Sequence, residues 1–332
     1  MSEVVLALDC GTHAARALAF ELESGATTVC DTVDISLQFP RPGWVEVDPD
    51  ELADAAIRVV RTALAWAADQ GHRVLTLGLA NMRETAFAWR RSTGQPLHPG
   101  IMWMSLQSAP VVDLWRAQGL DALIRQRTGL SNDAFFFGSK IRWLLDHDPD
   151  VAQAAREHDL AVGTVDSWLL HRLSGGRVHR TDVANGSRTQ LMNLADRCWD
   201  PQLCAALGIP EDALPALTPS SGWYGVADPA VLGQELPITG VIADQQASLL
   251  GHGCEIPGSG KTTFGTSGVV SVNLGPEMTM RPGLVTSVAA PPKGSNASPR
   301  PRPDPARHRA SPIRPDDAAD GAATAFWPRW TT

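Results

Sequence analysis

At the start of the chain, short apolar runs are separated by turn residues. The run VVLALD ends at Asp9 and is followed by Gly11, which predicts a buried strand that leads into a tight turn. Leu18, Phe20 and Leu22 then alternate with other residues before a turn at 23–25, and TTVCDTVDISL supplies another alternating run. Because strand side chains alternate between the two faces of a sheet, this pattern predicts a β-meander.

The pattern then changes to alternating helices and strands. Asp48 in the N-cap position, Pro49 at the first helical position and Glu51 predict the start of a helix. RVLTLGLAN predicts a buried strand, and helical spacing of apolar residues returns at 111–125 and 140–146. Strand and helix patterns continue to alternate to about Leu274, which predicts an α/β architecture.

Composition and charge limit the partners that the protein could bind and the cellular compartment in which it could work. The formal net charge is -8, which gives no reason to expect a nucleic acid as partner. The N-terminus lacks the pattern of a secretion signal, and no apolar run is long enough to cross a bilayer. The five cysteines never fall in C-x-x-C spacing, so we expect neither a disulfide framework nor a zinc site. We therefore expect a cytoplasmic protein with no membrane partner and with reduced thiols.

The last part of the chain has a different composition. Nine of the 25 prolines lie in the last 42 residues, with arginines between them and few periodic apolar positions. Such a segment cannot bury enough apolar surface to fold, so we expect 289–332 to be a disordered Pro/Arg-rich tail. A partner-binding linker and a product of a reading-frame change are both consistent with it.

Two turns contain residues suited to phosphate. At the first turn, Gly11 lets backbone N–H groups come close to a phosphate, Thr12 adds a hydroxyl donor, and Asp9 can hold Mg²⁺ through water. A second turn, TFGTSG at 263–268, contains Thr266 and precedes another apolar run. Together the two turns could clamp a nucleotide, although a capping aspartate and an ordinary hairpin turn explain each motif taken alone.

A third motif, GSGKTT at 258–263, superficially resembles a phosphate-binding P-loop. The P-loop pattern needs its first glycine at position 255, where this chain has Glu255, and it needs a helix after the loop. The residues that follow are patterned as a strand. We therefore expect no P-loop here.

Polar pairs follow two of the predicted buried strands. Arg83 and Glu84 come after RVLTLGLAN, and Asp244 and Gln245 come after ITGVIA. Ligands of open α/β sheets bind beyond the carboxyl ends of the strands, so both pairs lie in favourable positions. An arginine beside a glutamate can hold vicinal hydroxyls, and an aspartate can take a proton from a hydroxyl. The alternatives are a structural ion pair for Arg83 and Glu84, and a helix N-cap for Asp244.

The motifs LALDCGTHAARAL, FPRPGWVEVDPDEL, NMRETAFAW, RTGL, GTVDSWLLHRL, TDVANGSRT, ADQQASLLG and TTFGTSG occur together and in order. In this the sequence resembles the FGGY carbohydrate kinases, and within them the glycerol kinases. The resemblance implies an α/β, actin-like ATPase (ribonuclease H-like) fold whose two domains close on ATP, Mg²⁺ and a polyol or sugar. It also implies in-line transfer of the γ-phosphoryl group to a primary hydroxyl, such as conversion of glycerol to glycerol 3-phosphate.

Roles follow from the resemblance position by position. The nucleotide side would be formed by Asp9, which would hold Mg²⁺ through water, and by Gly11, Thr12, His13, Arg16 and Thr266. The acceptor side would be formed by Arg83, Glu84, Trp103, Phe135, Asp244 and Gln245. Asp244 would also be the general base.

Some positions depart from the glycerol kinase pattern. Phe135 stands where those enzymes have a tyrosine, Val269 stands where they have a phenylalanine, and His13 replaces a small hydroxyl residue. WMSLQS also lacks the polar and charged residues usual after the tryptophan, Trp103. A site built for particular hydroxyls discriminates strongly when one partner is lost, so a xylulose- or pentulose-type kinase remains an alternative.

The resemblance also predicts the division of the chain. We expect an N-terminal substrate domain over 1–250 and the first hairpin of a nucleotide domain over 251–288, with domain I complete and domain II only started. We therefore expect little or no kinase activity from this chain alone. A non-catalytic remnant that binds a polyol is the alternative in a different functional class, and the sequence leaves a homo-oligomer open.

Overall fold

The computed structural model describes residues 2–264, 268–276, 278–281 and 283–289. The first strands are β1 Glu3–Cys10, β2 Ala14–Glu21, β3 Thr27–Asp34, β4 Leu37–Gln38, β5 Glu46–Val47, β6 Arg73–Asn81, β7 Phe87–Arg90 and β8 Gly100–Ile101. The later strands are β9 Leu160–Gly163, β10 Arg180–Asp182, β11 Met192–Asn193, β12 Cys198–Trp199, β13 Ala216–Thr218, β14 Ser221–Ala227, β15 Leu236–Ala243, β16 Gly260–Phe264 and β17 Gly268–Val272. The helices are α1 Pro49–Asp69, α2 Ala109–Ala117, α3 Asp121–Thr128, α4 Phe137–His147, α5 Pro149–Arg156, α6 Val165–Leu173, α7 Val183–Gly186, α8 Pro201–Leu207, α9 Pro229–Leu232 and α10 Asp244–Gly251.

A six-stranded sheet forms the centre of the protein, in the order β14-β15-β6-β1-β2-β3. The strands β1, β2 and β3 pair antiparallel, which confirms the predicted β-meander. In β1, Leu6, Leu8 and Cys10 are fully buried and alternate with half-buried residues, as expected for a strand in a sheet. The mixture of this sheet with surrounding helices confirms the predicted α/β architecture.

Helix α1 covers the meander. Its N-cap is Asp48, whose carboxylate accepts hydrogen bonds from the backbone N–H groups of Asp50 at 2.8 Å and Glu51 at 3.1 Å. Pro49 occupies the first turn, as the sequence predicted. The apolar face of the helix, which includes Val59 and Val60, is buried against the sheet.

A second cluster of buried apolar residues lies beside the sheet, among α2, α4, α5 and α8. The single helix predicted over 111–125 is wrong, because this segment is divided between α2 and α3. Gly119, between them, has φ 75°, a left-handed conformation that a side chain disfavours. The apolar spacing continues through this break, so periodicity alone could not locate it.

The strands β16 and β17 form an antiparallel hairpin. Residues 284–288, which fall within the segment 251–288 expected to form this hairpin, are not in a strand. Instead, the backbone N–H of Thr286 donates to Gly129 O at 3.0 Å, and that of Val288 donates to Ser187 Oγ at 3.1 Å. The predicted disorder of 289–332 falls almost wholly outside the described residues.

Parallel pairing brings three strand ends together. β6 pairs parallel with both β1 and β15, and the registers place Asn81 opposite Cys10 on one side and opposite Ala243 on the other. The segments that follow these three residues therefore leave the same edge of the sheet. In the described part of the chain, no helix is both long and apolar enough to cross a membrane.

Candidate active site

The turn after β1 is held by the chain's own backbone. The N–H of Gly11 donates to Ala14 O at 3.0 Å, and the N–H of Met82 donates to Cys10 O at 2.8 Å. The second bond ties the end of β6 to the end of β1. Asp9 is 41% exposed and lies 3.8 Å from the Arg16 guanidinium, its partner across the β1–β2 pair. Burial raises the pKa of Asp9, and the charge of Arg16 partly opposes this.

Arg83 joins two carboxylates from neighbouring strand ends. Its Nε lies 3.8 Å from an oxygen of Glu84 and 3.4 Å from an oxygen of Asp244. The Glu84 side chain is only 2% exposed, and Glu84 has φ 63°, an unusual backbone conformation for a residue other than glycine. Such strain costs about 1–3 kcal/mol and persists only where the surroundings enforce it. The ion pair considered as an alternative is thus present, but it is part of a larger cluster.

Arg188 completes this cluster and was not predicted. Its Nε donates to Glu84 Oε1 at 2.6 Å, and its guanidinium lies 5.0 Å from the centre of the Phe136 ring. Burial lowers the pKa of Arg188, while the Glu84 carboxylate favours the charged form. The available sequence signal was weak: Arg188 is the only charged residue between Asp182 and Asp196.

Two buried asparagines support the same strand end. Asn81, the last residue of β6, and Asn185 in α7 exchange side-chain hydrogen bonds, each 3.1 Å long. Asn185 also donates to Asp182 Oδ1, through both its backbone and its side chain, at 2.8 Å. Asp182 is fully buried beside Asp166, and burial together with the charge of Asp166 raises the pKa of Asp182 to about 7.

Asp244 is the first residue of α10, and Ala243 is its N-cap residue with no side-chain capping bond. The alternative role of an N-cap aspartate is therefore not the one observed. Asp244 Oδ1 accepts the N–H of Gln245 at 2.6 Å, and the side chain is 35% exposed. Burial raises the pKa of Asp244, Arg83 opposes this rise, and the charge of Glu84 adds to it. A carboxylate of raised pKa that is still accessible is a stronger base than an ordinary surface aspartate.

Aromatic side chains line the neighbouring wall. Trp103 and Phe135 are half-buried, and their rings meet edge to face with centroids 5.6 Å apart. The indole Nε1 of Trp103 donates to Thr12 Oγ1 at 3.0 Å. The only N–H of the indole ring is therefore used, so the rest of the Trp103 ring offers apolar surface to a ligand. The bond also connects the aromatic wall to the turn after Asp9.

Lys261 approaches the site from β16. Its Nζ donates to Gln245 Oε1 and to Thr263 Oγ1, each at 2.7 Å. Burial lowers the pKa of Lys261, and the charge of Asp244 opposes this. Because Lys261 lies within a strand of a hairpin rather than at the start of a helix, the rejection of a P-loop is confirmed.

Most of the predicted site residues lie close together, and the others lie at the open side of the turn after β1 or outside the described residues. Arg83, Glu84 and Asp244 lie together, and Gln245 adjoins Asp244. The rings of Trp103 and Phe135 pack against each other, and Trp103 is hydrogen-bonded to Thr12 in the turn after β1. Asp9 is near enough that its charge raises the pKa of Asp244. His13 is exposed and Arg16 is 45% exposed, so both remain at the open side of the turn. Thr266 lies outside the described residues.

The residues of the turn fit a nucleotide with Mg²⁺. Thr12 Oγ1 accepts the Trp103 N–H, which leaves its own proton to be donated to a phosphate oxygen. No group of three or more metal-binding side chains occurs among the residues that the structure describes. One carboxylate, Asp9, suits Mg²⁺ that keeps water ligands and takes others from phosphates, which is its usual coordination.

The solved structures that resemble this one define its class. Plasmodium falciparum glycerol kinase, solved with ADP, matches with a TM-score of 0.82 and 26% identity, over 86% of this chain and 57% of that chain. Xylulose kinase from Rhodospirillum rubrum matches with a TM-score of 0.77 and 24% identity, over 87% of this chain and 58% of that chain. The protein therefore has the α/β, actin-like ATPase fold that the sequence predicted.

Sequence comparison identifies the family. Residues 4–251 match the N-terminal domain of the FGGY family of carbohydrate kinases, and the chain belongs to this family. The glycerol kinase of Leptothrix cholodnii is 42% identical over 287 residues, which are 86% of this chain and 58% of that protein. The glycerol kinase of Chromobacterium violaceum is 44% identical over 273 residues, which are 82% of this chain and 54% of that protein. The chain thus spans little more than half the length of these relatives.

Proposed function

We propose that this chain forms the acceptor-binding part of an ATP-dependent kinase that phosphorylates a primary hydroxyl of a small polyol, with glycerol as the first candidate. The observation that carries the proposal is the Arg83 cluster, in which one guanidinium lies 3.4 Å from Asp244 and 3.8 Å from Glu84. The cluster adjoins the Asp9–Thr12 turn because the three parallel strand ends are in register. The family membership and the similarity to glycerol kinases support the same reaction.

The cluster suits the recognition of vicinal hydroxyls. Arg83 supplies N–H donors, and the buried Glu84 carboxylate supplies acceptor oxygens. Glu84 is fixed by Arg188, so its position does not depend on the ligand. Hydrogen bonds to charged groups contribute about 1.5–3 kcal/mol each, which is enough to select acceptors that carry two adjacent hydroxyls.

Asp244 has the properties required of the general base. Its carboxylate is accessible, its pKa is raised by burial, and Arg83 holds one of its oxygens. In the reaction, Asp244 would take the proton from the attacking hydroxyl as that oxygen approaches the phosphoryl group. Trp103 and Phe135 would cover the carbon skeleton of the acceptor and keep water from this side.

The nucleotide side of the proposal rests on the turn after β1. ATP bound with Mg²⁺ would supply the phosphoryl group and neutralise its charge. Asp9 would hold the metal through water, and Thr12 would donate to a phosphate oxygen. We propose that Gly11, His13, Arg16 and Thr266 also contact the nucleotide. A cytoplasmic location, where ATP and Mg²⁺ are available, is part of the same proposal.

Binding of the acceptor is the first test. Titration calorimetry with glycerol should show saturable binding to the wild-type chain. Glu84→Gln should weaken this binding at least about tenfold, because it removes a charged acceptor of hydrogen bonds. Asp113→Asn, on the exposed face of α2, is the matched control and should bind glycerol normally. Failure of the wild-type chain to bind glycerol or any other small polyol or sugar would contradict the proposal.

Release of ADP in the presence of glycerol, erythritol, xylulose and ribulose is the second test. Release with glycerol would support the leading acceptor, and release only with xylulose or ribulose would indicate a pentulose kinase. Binding of a polyol without ADP release would favour the alternative of a polyol-binding remnant. Where transfer is measured, Asp244→Asn should lower it about 10²- to 10⁴-fold, the usual contribution of a general base.

A further inference from the structure

We propose that Lys140 is a positioning residue of the acceptor site: its ammonium group fixes the backbone of residues 134–136, so that Phe135 packs against Trp103 and Phe136 packs under Arg188. This inference deepens the proposed function and rests on it. Lys140 lies in the first turn of α4, and nothing in its sequence context indicated a role at the site.

The contacts of Lys140 are unusual for a lysine. The residue is fully buried, and its Nζ donates to three consecutive backbone carbonyl oxygens: Ala134 at 2.9 Å, Phe135 at 2.6 Å and Phe136 at 3.1 Å. An ammonium group has three protons, and each has one of these acceptors. Burial of a charge is costly unless such partners are present, so the charged side chain and this backbone conformation depend on each other.

The backbone that Lys140 holds carries both walls of the acceptor site. The ring of Phe135 meets Trp103 edge to face at 5.6 Å, and it meets Phe136 at 5.3 Å. The Phe136 ring lies under the guanidinium of Arg188, which binds Glu84. A change in the 134–136 backbone would therefore move the apolar wall and loosen the support of Glu84.

The protonation of Lys140 makes this role testable by pH. Burial lowers the pKa of Lys140 to about 7, and the charges of Glu84 and Asp133 oppose this change. The ammonium form is therefore present below this pH and is lost as the pH rises through it. A neutral amine has two protons for three carbonyl oxygens, so one oxygen would then face a lone pair. Polyol affinity should consequently fall on the alkaline side of neutrality.

Other titrating groups near the site require controls. Asp244 and Asp9 are carboxylates of raised pKa, and Lys261, which binds Gln245, is a second lysine of lowered pKa. Lys140→Met removes the ammonium group and keeps a long apolar side chain in its place. Lys261→Met is the matched control, because it removes the other buried ammonium group without touching residues 134–136.

Glycerol affinity, measured by calorimetry between about pH 6 and about pH 9, gives the main test. Wild type should bind about fivefold more weakly at the alkaline end, which corresponds to one net hydrogen bond. Lys140→Met should bind weakly at every pH with this dependence abolished, whereas Lys261→Met should keep it. A Lys140→Met chain that binds as tightly as wild type and keeps the pH dependence would overturn the inference while leaving the proposed function intact. No glycerol binding by wild type at any pH would overturn both.

Hydrogen exchange provides a readout that needs no ligand. Lys140→Met should speed exchange in a peptide covering 133–139 and leave α1 unchanged. Unchanged exchange at 133–139 would overturn the inference. If Lys140→Met does not fold, Phe135→Ala replaces it: glycerol affinity should then show a smaller alkaline fall, because one of the two rings that depend on Lys140 is gone while the contact of Phe136 with Arg188 remains. Retention of the full alkaline fall in Phe135→Ala would count against the role of Lys140.

Discussion

The proposed acceptor side and the proposed nucleotide side of the candidate site are built differently. On the acceptor side, Glu84 is 2% exposed and Arg188 is 7% exposed, and their bond is 2.6 Å long. On the nucleotide side, Asp9 and Arg16 are 41% and 45% exposed and lie 3.8 Å apart. The first pair is fixed by the protein interior, whereas the second is open to solvent. In the proposed function, the acceptor side is therefore fixed before a ligand binds, whereas the Asp9 and Arg16 side chains on the nucleotide side remain open to solvent.

Replacement of Arg188 and of Arg16 should give the largest difference in the free energy of unfolding. Arg188→Met leaves the buried Glu84 carboxylate without its closest cation, which costs about 3–5 kcal/mol in a buried pair. Arg16→Met breaks an exposed pair, which contributes about 0–1 kcal/mol. Urea unfolding of the two variants and of wild type measures the difference directly. Equal losses of unfolding free energy would show that the two sides do not differ in the way described.

A smaller change in the free energy of unfolding should come from Asp182, which is buried beside the acceptor side. Because the pKa of Asp182 is raised to about 7, the folded protein retains a proton that the unfolded chain, with a usual aspartate pKa near 3.8, has released. Unfolding free energy therefore decreases as the pH rises between these two values. Between about pH 5 and about pH 8, wild type should lose at least about 1 kcal/mol more than Asp182→Asn.

Urea unfolding at the two pH values checks this, with Asp113→Asn as the control for an exposed aspartate. Asp182→Asn should be less stable than wild type at both values, because Asn185, Ala184 and Ser220 all donate to the carboxylate. Only the difference in pH dependence tests the prediction. An identical decrease in wild type and Asp182→Asn would exclude Asp182 as its source.

The sequence predicted the parts of the site that depend on strand order. Asp9 lies at the end of β1, and Arg83 and Asp244 come after β6 and β15. Each of these strands reads as a buried apolar run, and the ends of adjacent parallel strands meet at one edge of the sheet. The general location of the site therefore required only the identification of these strands. The resemblance to the FGGY family then assigned roles that local patterns left open.

The supporting residues could not be predicted in the same way. Arg188 reaches Glu84 across 104 positions of sequence, and Lys140 binds carbonyl oxygens whose direction depends on the conformation of 134–136. Asn81 and Asn185 pair side chain to side chain, which no periodic pattern encodes. The break at Gly119 was missed for a related reason, since apolar spacing continues across it. Burial and tertiary hydrogen bonding, rather than propensity, determine these features.

The bond between Trp103 and Thr12 crosses the boundary between the two sides and gives the smallest predicted effect. Trp103→Phe keeps an aromatic wall against Phe135 but removes the indole N–H that donates to Thr12 Oγ1 at 3.0 Å. Because Thr12 is only half-buried and water can replace the donor, glycerol affinity should fall by no more than about fivefold. Phe135→Ala, which removes an entire ring, should weaken binding more. Calorimetry on both variants orders the two contributions. Trp103→Phe could instead weaken binding more than Phe135→Ala. The position of the aromatic wall would then depend on the phosphate turn, and the interior alone would not preorganise the acceptor side.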